Sequence, residues 1–194
     1  MLRTLRRAVA RFALRRAASA QRRSPRLAGG WLSLACAISP AFDEPFRALV
    51  HHRRAREDRW GALAAARGAT DRFPTNPDAW MLLGDAYQMV FRQREALVAY
   101  EQALALEERA DAALAAGDLY RRAGQAADAA ARFARAYAAG GGADALWRNA
   151  QALYEAGDDG AADAALELWA SEVPDGFTRL AEARAELRAG RREG

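Results

Sequence analysis

Three sets of side chains in this 194-residue chain have the chemistry for catalysis or metal binding, but each lacks the partners that such chemistry needs. The only histidines, His51 and His52, are neighbours, and neighbours on a helix point about 100° apart. The one cysteine, Cys36, has no identifiable histidine partner that would make it a nucleophile. The acidic pair Asp158 and Asp159 suits a turn, and no further acids stand at the spacing of a calcium loop. The sequence therefore predicts no catalytic, cofactor or metal site.

Charge is distributed unevenly along the chain. Residues 1–42 contain nine of the 29 basic residues, all of them arginine, and no acid. Residues 43–194 contain the other 20 arginines and all 25 acids, which gives them a net charge of −5. The high pI therefore belongs to the first segment and does not indicate a nucleic-acid surface on the rest. Residues 27–42 are uncharged, but this stretch is short for a membrane span.

The body of the chain repeats itself with a period of 33 or 34 residues. Residues 83–87 read LGDAY and residues 116–120 read AGDLY, an offset of 33. The same offset pairs Tyr100 with Phe133, and further steps along the chain in both directions find two weaker copies. The four predicted repeats are residues 43–76, 77–109, 110–142 and 143–175.

This repeat resembles the tetratricopeptide repeat (TPR), a helix–turn–helix unit of about 34 residues. Eight positions of the TPR unit have a preferred residue size, and the copy at residues 77–109 departs from them only at Glu108, where the family usually has proline. Its seven matching residues are Trp80, Leu83, Gly84, Tyr87, Ala96, Tyr100 and Ala103. The resemblance implies an all-α fold, a right-handed superhelical solenoid of helix–turn–helix repeats, with residues 176–194 as a C-terminal capping helix and tail.

Residue size and turn residues support this interpretation. A large residue such as Tyr100 fills the space left by a small one such as Gly84 on the paired helix, so we expect Gly84 to tolerate no larger side chain. Asn76 before Pro77 signals a helix start. Gly124 and Gly157 suit helix ends, where glycine adopts a left-handed conformation at little cost. An apolar stripe on the capping helix is predicted from Phe177, Leu180 and Leu187.

In the TPR family the first helix of each repeat lines a concave groove. The resemblance aligns Met81, Leu114 and Trp147 at one groove position of successive repeats, as an apolar stripe that suits a protein or peptide partner. Alternatively, Trp147 packs against the cap or the N-terminal segment. Asp85 and Asp118 would repel a carboxylate, which disfavours the chaperone C-termini that some TPR proteins bind. The predicted partner-binding residues are Arg47, Met81, Asp85, Gln88, Leu114, Asp118, Arg121, Trp147, Gln151 and Tyr154.

Residues 1–42 are predicted to be a basic extension outside the repeats, partly disordered or helical, that contributes little to stability. Leu2, Leu5, Val9 and Phe12 fall on one helical face among arginines, a pattern typical of a mitochondrial transit peptide. This interpretation predicts a mitochondrial protein if the source is eukaryotic and a cytoplasmic one otherwise. A basic amphipathic membrane anchor and an unselected disordered extension are the alternatives. Contact with nucleic acid is expected only through this segment.

Two functions fit the sequence, and neither is enzymatic. The first is an adaptor or assembly factor that binds a partner peptide or helix in the groove. The second is a structural subunit of a larger complex, in mitochondria if the source is eukaryotic, whose basic segment contacts a neighbouring subunit, lipid or RNA. Neither function requires a cofactor or a small-molecule substrate.

Overall fold

The computed structural model describes residues 2–39, 41 and 44–190, and every regular element in them is helical. The all-α prediction is confirmed. No helix among these residues is long and apolar enough to cross a lipid bilayer. A single π-helical turn, Tyr137–Gly141, precedes the ninth α-helix. The α-helices are α1 (Leu2–Ala20), α2 (Pro25–Ile38), α3 (Glu44–Ala55), α4 (Arg59–Arg72), α5 (Pro77–Met89), α6 (Gln93–Leu106), α7 (Ala110–Arg122), α8 (Ala126–Ala136), α9 (Gly142–Ala156), α10 (Asp159–Glu172) and α11 (Gly176–Gly190).

The chain forms two compact units, each built from consecutive helices. The first unit, Met1–Leu106, contains α1 to α6, and the second, Glu107–Gly194, contains α7 to α11. Within each unit, every helix packs against the helices that precede and follow it in the chain. This arrangement is expected of short helices joined by short turns, because neighbours in sequence then become neighbours in space.

Helix ends follow the turn residues of the sequence. The Asn76 side chain accepts a hydrogen bond from the backbone N–H of Asp78, 2.9 Å away, and so caps α5. Asp158 caps α10 in the same way, which gives this acid a structural role. Gly157 closes α9 with a φ of 87°, a left-handed conformation that glycine adopts readily.

Each well-matched repeat is held together by a large ring that lies against a glycine. A Cβ atom placed on Gly84 of α5 would lie 2.4 Å from the Tyr100 ring of α6. A Cβ atom on Gly117 of α7 would lie 2.6 Å from the Phe133 ring of α8. Both rings are fully buried, so the two helices of a repeat approach closely only because glycine stands opposite the ring.

The N-terminal helices α1 and α2 pack within the first unit. That this segment contributes little to stability stays a prediction. Helix α1 buries Ala10, Ala13 and Ala17 against α2, and α2 packs in turn on α3. Leu32 shares a core cluster with side chains of α3 and α4. This contact was not predicted because the buried face of α1 is alanine and not large apolar side chains, and alanine allows a closer helix contact.

A repeat signal for this helix pair is present in the sequence. The buried residues Ala28, Leu32 and Ala35 of α2 have the same spacing as Ala96, Tyr100 and Ala103 of α6 and precede them by 68 residues, which is two repeat lengths of about 34. The pair α1–α2 thus extends the series of helix pairs in the N-terminal direction. The match covers only the second helix of the pair, which explains why a search for the whole pattern did not find it.

Polar side chains join this first pair to the helices that follow. The guanidinium of Arg72, in α4, donates hydrogen bonds to the carbonyl oxygens of Cys36 and Ala37 at the end of α2, at 2.6 and 3.1 Å. His52 Nδ1, in α3, lies 3.0 Å from Gln21 Oε1 in the turn between α1 and α2. Carbonyls at a helix C-terminus lack intrahelical partners, so Arg72 stabilises the end of α2.

The last helix, α11, covers the end of the second unit with a different set of residues from the predicted stripe. Leu187 is buried, Leu180 is half-buried, and Ala183 is buried between them. Phe177 is 67% exposed, so its inclusion in the stripe was wrong. The buried residues stand four apart at 183 and 187, so a small side chain forms part of the buried face.

Candidate functional site

The predicted groove residues of the first unit are engaged in polar contacts. Asp85 accepts a hydrogen bond from the hydroxyl of the buried Tyr100 at 2.7 Å, and Gln88 donates one to the same oxygen at 2.7 Å. Arg47, in α3, forms an ion pair with Asp78, in α5, at 2.8 Å. Met81 is half-buried on α5. Asp85 and Gln88 therefore hold a core ring in place as well as lining the surface.

In the second unit, charged residues connect α7 with α9. Arg148 forms an ion pair with Asp118 at 2.7 Å, and Arg121 forms one with Glu155 at 3.5 Å. These four side chains are between 24% and 35% exposed. Because each lies beside a side chain of opposite charge, their charges are largely compensated at the surface. Asp118 and Arg121 were predicted to bind a partner, and their pairing between helices was not predicted.

The half-buried side chains of Leu114 and Trp147 are the apolar members of the predicted set in this unit. Leu114 packs against a cluster that contains Phe133, and Gln151 is half-buried on α9. The Trp147 ring lies 5.2 Å from the Trp169 ring, tilted by 53°, in the cluster that α11 completes. Trp147 is therefore partly in the core, which agrees in part with the alternative that it packs against the cap.

Tyr154 is not available as a surface residue. Its side chain is 1% exposed, and its hydroxyl donates a hydrogen bond to Asp163 of α10. Burial and this hydrogen bond raise the pKa of Tyr154, while the same bond lowers the pKa of Asp163. Arg188 lies 2.9 Å from the Asp163 carboxylate and completes the cluster. We therefore remove Tyr154 from the candidate surface.

The residues that were considered for chemistry are separated in the structure. His51 is exposed whereas His52 is buried, and burial together with Arg56 and Arg53 lowers the pKa of His52. Cys36 is a buried thiol in the core of the first unit. Among the residues that the structure describes, no group of three or more histidine, cysteine or acidic side chains is placed to hold a metal ion.

A second surface, which sequence analysis did not single out, lies between α8, α9 and α10. It is an apolar groove of about 700 Å³ whose floor is mostly alanine, and Tyr137, Leu153 and Leu168 are among its larger side chains. Leu168 is 50% exposed. The available signal was the absence of charge at exposed positions of α8 such as Ala127 and Ala131, where a solvated helix normally carries polar residues.

The chain resembles known proteins in structure and not in sequence. No protein-family model matches the sequence, and no curated protein sequence matches it. Pseudomonas aeruginosa PilF superposes with a TM-score of 0.67 at 18% identity, covering 96% of this chain and 90% of PilF. YrrB, described as a TPR protein with an unusual peptide-binding site, has a TM-score of 0.64 at 16% identity, with 89% and 90% covered. TTC0263, a TPR protein of Thermus thermophilus, has a TM-score of 0.57 at 19% identity, with 90% and 98% covered.

The fold is that of the TPR family. The resemblance inferred from the sequence is thereby confirmed at the level of fold. None of the three names refers to a mitochondrial protein or a transit peptide, and the comparisons give no support for that expectation.

Departures from the TPR pattern have local explanations in the structure. Asn149 stands where the family prefers a large apolar residue, and it is buried in the TPR core. Its Nδ2 donates a hydrogen bond to the carbonyl of Ala130, 2.7 Å away, so the polar amide is satisfied inside the core. Trp169 stands where the family prefers alanine, and its ring packs on Trp147. The extra volume of Trp169 is thus accommodated in the core cluster that includes Leu187 of α11.

Proposed function

We propose that this chain is a protein–protein interaction module, an adaptor or assembly factor that binds a peptide or helix of a partner on the surface of its second unit formed by α7 and α9, the first helices of their repeats. The TPR fold supports an interaction module in general. Peptide binding is stated for YrrB, one of the structures that this chain resembles, and it is the activity proposed for this chain.

The observation that carries the proposal is the half-buried tryptophan on α9. Trp147 is half-buried, and its ring packs on the Trp169 ring with the centroids 5.2 Å apart. Aromatic side chains held in this way lose little conformational entropy when a partner covers them, and tryptophan is a common binding anchor. Gln151, one turn further along α9, adds an amide that can bond to a peptide backbone.

The charges around this surface favour a partner that is recognised by an apolar side chain more than by its charge. Asp118 and Arg121 of the second unit each have an oppositely charged partner, Arg148 at 2.7 Å and Glu155 at 3.5 Å, so neither presents an uncompensated charge. Exposed ion pairs of this kind contribute little free energy and exchange partners easily. Basic residues of a ligand thus orient it at the rim, while an apolar anchor supplies most of the affinity.

The test begins with a pull-down that uses the full chain as bait, followed by calorimetric titration of the recovered partner. Trp147→Ala is expected to weaken binding about thirtyfold, because truncating an aromatic anchor costs about 2 kcal/mol. Asp78→Ala is expected to change the affinity far less. Trp60→Ala is the matched control, since Trp60 is 62% exposed on α4, a second helix of its repeat.

Two outcomes would contradict the proposal. Unchanged affinity for Trp147→Ala, with a loss for Leu168→Ser, would move the binding surface to the alanine-lined groove of the second unit. A loss of helical circular dichroism in Trp147→Ala would show that the tryptophan acts as a core residue. In that case Trp147→Phe, which keeps a ring against Trp169, should fold and bind as well as the unchanged protein does. Such a result would contradict the anchor role of Trp147.

The structural-subunit alternative predicts a different pattern of burial. A subunit built into a complex is covered on broad areas of several faces, whereas an adaptor leaves its surface open until the partner arrives. Hydrogen exchange of the isolated chain and of its complex separates the two functions. Protection confined to α7 and α9 supports the adaptor, and protection spread over most helices supports the subunit.

A further inference from the structure

The first helix leaves large apolar side chains exposed at the end of the helix series. Leu2, Leu5, Val9 and Phe12 of α1 are 42% to 69% exposed. Terminal units of repeat proteins normally turn a polar face outward, because an apolar end reduces solubility. Helix α1 therefore does not act as a polar cap, and its outer face has the composition of a docking surface.

The same side of α2 continues this apolar surface. The Phe12 and Trp31 rings meet edge-on with their centroids 6.2 Å apart, which places the two stripes side by side. Leu27 and Leu34 lie one helical turn on either side of Trp31 and are 62% and 43% exposed. The pair α1–α2 thus presents one apolar strip that runs along both helices.

Arginine side chains border the strip. Helical geometry places Arg6 and Arg15 on opposite borders of the apolar stripe of α1. The guanidinium carbon of Arg16 lies 5.8 Å from the centroid of the Trp31 ring. All nine arginines of residues 1–42 are at least partly exposed, and the sequence of this segment contains no aspartate or glutamate.

We propose that the α1–α2 pair binds the surface of an anionic lipid membrane. The apolar strip enters the boundary between headgroups and acyl chains, and the arginines contact lipid phosphates, as amphipathic basic helices do. Each arginine near such a surface strengthens binding about fivefold, from roughly 1 kcal/mol per charge. The apolar strip and the positive border act together, since either alone gives weak attachment.

Two other occupants explain the surface less well. A second copy of the chain would bring the same arginines face to face, and like charges repel. A nucleic acid would bind the arginines through its phosphates, but phosphate contacts do not account for the exposed apolar side chains of Leu5, Val9 and Leu34. A membrane with anionic lipids accounts for both the apolar and the basic side chains.

The experiment measures sedimentation of the full chain with vesicles. Equal parts of phosphatidylglycerol and phosphatidylcholine form the anionic vesicles, and pure phosphatidylcholine forms the neutral ones. The apolar variant is Leu5→Ser/Val9→Ser/Leu34→Ser, all at exposed positions. The basic variant is Arg6→Gln/Arg15→Gln/Arg16→Gln, which changes exposed arginines beside the strip. The matched control, Val98→Ser/Leu168→Ser/Phe177→Ser, changes side chains that are 50% to 67% exposed elsewhere.

The unchanged protein and the control should bind anionic vesicles alike and neutral vesicles much more weakly. Each of the two test variants should lose at least about tenfold in binding, with unchanged thermal melting. Acyl chains labelled with bromine should quench part of the tryptophan fluorescence, and Trp31→Phe should remove that part. This last result reports insertion of Trp31 and not only electrostatic attraction.

Three results would overturn the proposal. If the apolar variant binds anionic vesicles as well as the unchanged protein does, and a short polyuridine RNA binds more tightly than vesicles, the segment contacts nucleic acid. If vesicles do not bind and the apolar variant converts a dimer to a monomer in sedimentation, the strip joins two copies. Equal binding to neutral and anionic vesicles would refute the role of the arginines.

Discussion

Replacing Gly84 with alanine tests the close packing on which the repeat assignment depends. The added Cβ would lie 2.4 Å from Tyr100 Cε1 and 2.7 Å from Cδ1 and Cζ, whereas carbon atoms in contact are normally about 3.5–4.0 Å apart. Tyr100 is fully buried and its hydroxyl is held by Asp85 and Gln88, so the ring cannot withdraw without losing those bonds. We expect Gly84→Ala to destabilise the protein.

Two opposing effects set the magnitude of the stability change in Gly84→Ala. Alanine stabilises a helix interior by about 1 kcal/mol relative to glycine. Forcing a methyl group into a packed core costs about 1–3 kcal/mol, and the overlap of three ring atoms at Gly84 favours the upper end. A net loss of about 1–2 kcal/mol follows. Gly84→Leu should lose more, because the additional atoms have no space.

Gly68 provides a matched control in the same unit. It lies inside α4, and apart from the nearby backbone of its own helix and its two chain neighbours no atom is within 4 Å of a Cβ placed there. Gly68→Ala should therefore raise the free energy of unfolding by up to about 1 kcal/mol. The two variants should differ by about 2–3 kcal/mol, or roughly 4–12 °C in melting temperature for a chain of this length. Thermal melts followed by circular dichroism measure the difference. If Gly84→Ala melted above the unchanged protein, as Gly68→Ala should, the predicted register of the repeat would be wrong.

Two further predictions concern polar groups of the first unit. Arg72→Gln should lower the free energy of unfolding by about 1–2 kcal/mol, since it removes hydrogen bonds to the end of α2, and urea titration should show a lower midpoint. The lowered pKa of His52 means that the unfolded chain takes up a proton below about pH 6.5 before the folded chain does, so stability falls as the pH drops. His52→Gln should show a smaller loss of melting temperature between pH 7 and pH 5, and an equal loss in both proteins would contradict the assignment.

The sequence predicted the helix pairs from residue 44 onward because their signals are local. Period, cap residues and turn glycines each act within a few positions, as Asn76 does at the start of α5. The α1–α2 pair was missed because its contact face is alanine. In a segment rich in alanine and arginine, an alanine stripe does not stand out as a contact face. Only the presence of α2 beside α1 shows that Ala13 is buried.

The helix that carries each candidate residue was predictable from the sequence, but the contacts of its side chain were not. Helical register places Trp147 and Asp118 on the first helices of their repeats, as expected. The partner of each side chain depends on another helix, and spacing within one helix carries no information about it. The Arg148–Asp118 pair and the burial of Tyr154 against Asp163 therefore became visible only in the structure.

More than half of the buried apolar residues in the described part of the chain are alanine, and this has a thermal consequence. Each buried alanine removes little more than one methyl group from water, whereas the heat capacity of unfolding grows with the apolar area that unfolding exposes. A core of this kind should have a smaller heat capacity change per residue than a leucine-rich core of equal length. Its stability would then vary more gently with temperature, so that the protein approaches both heat and cold unfolding along a shallow curve.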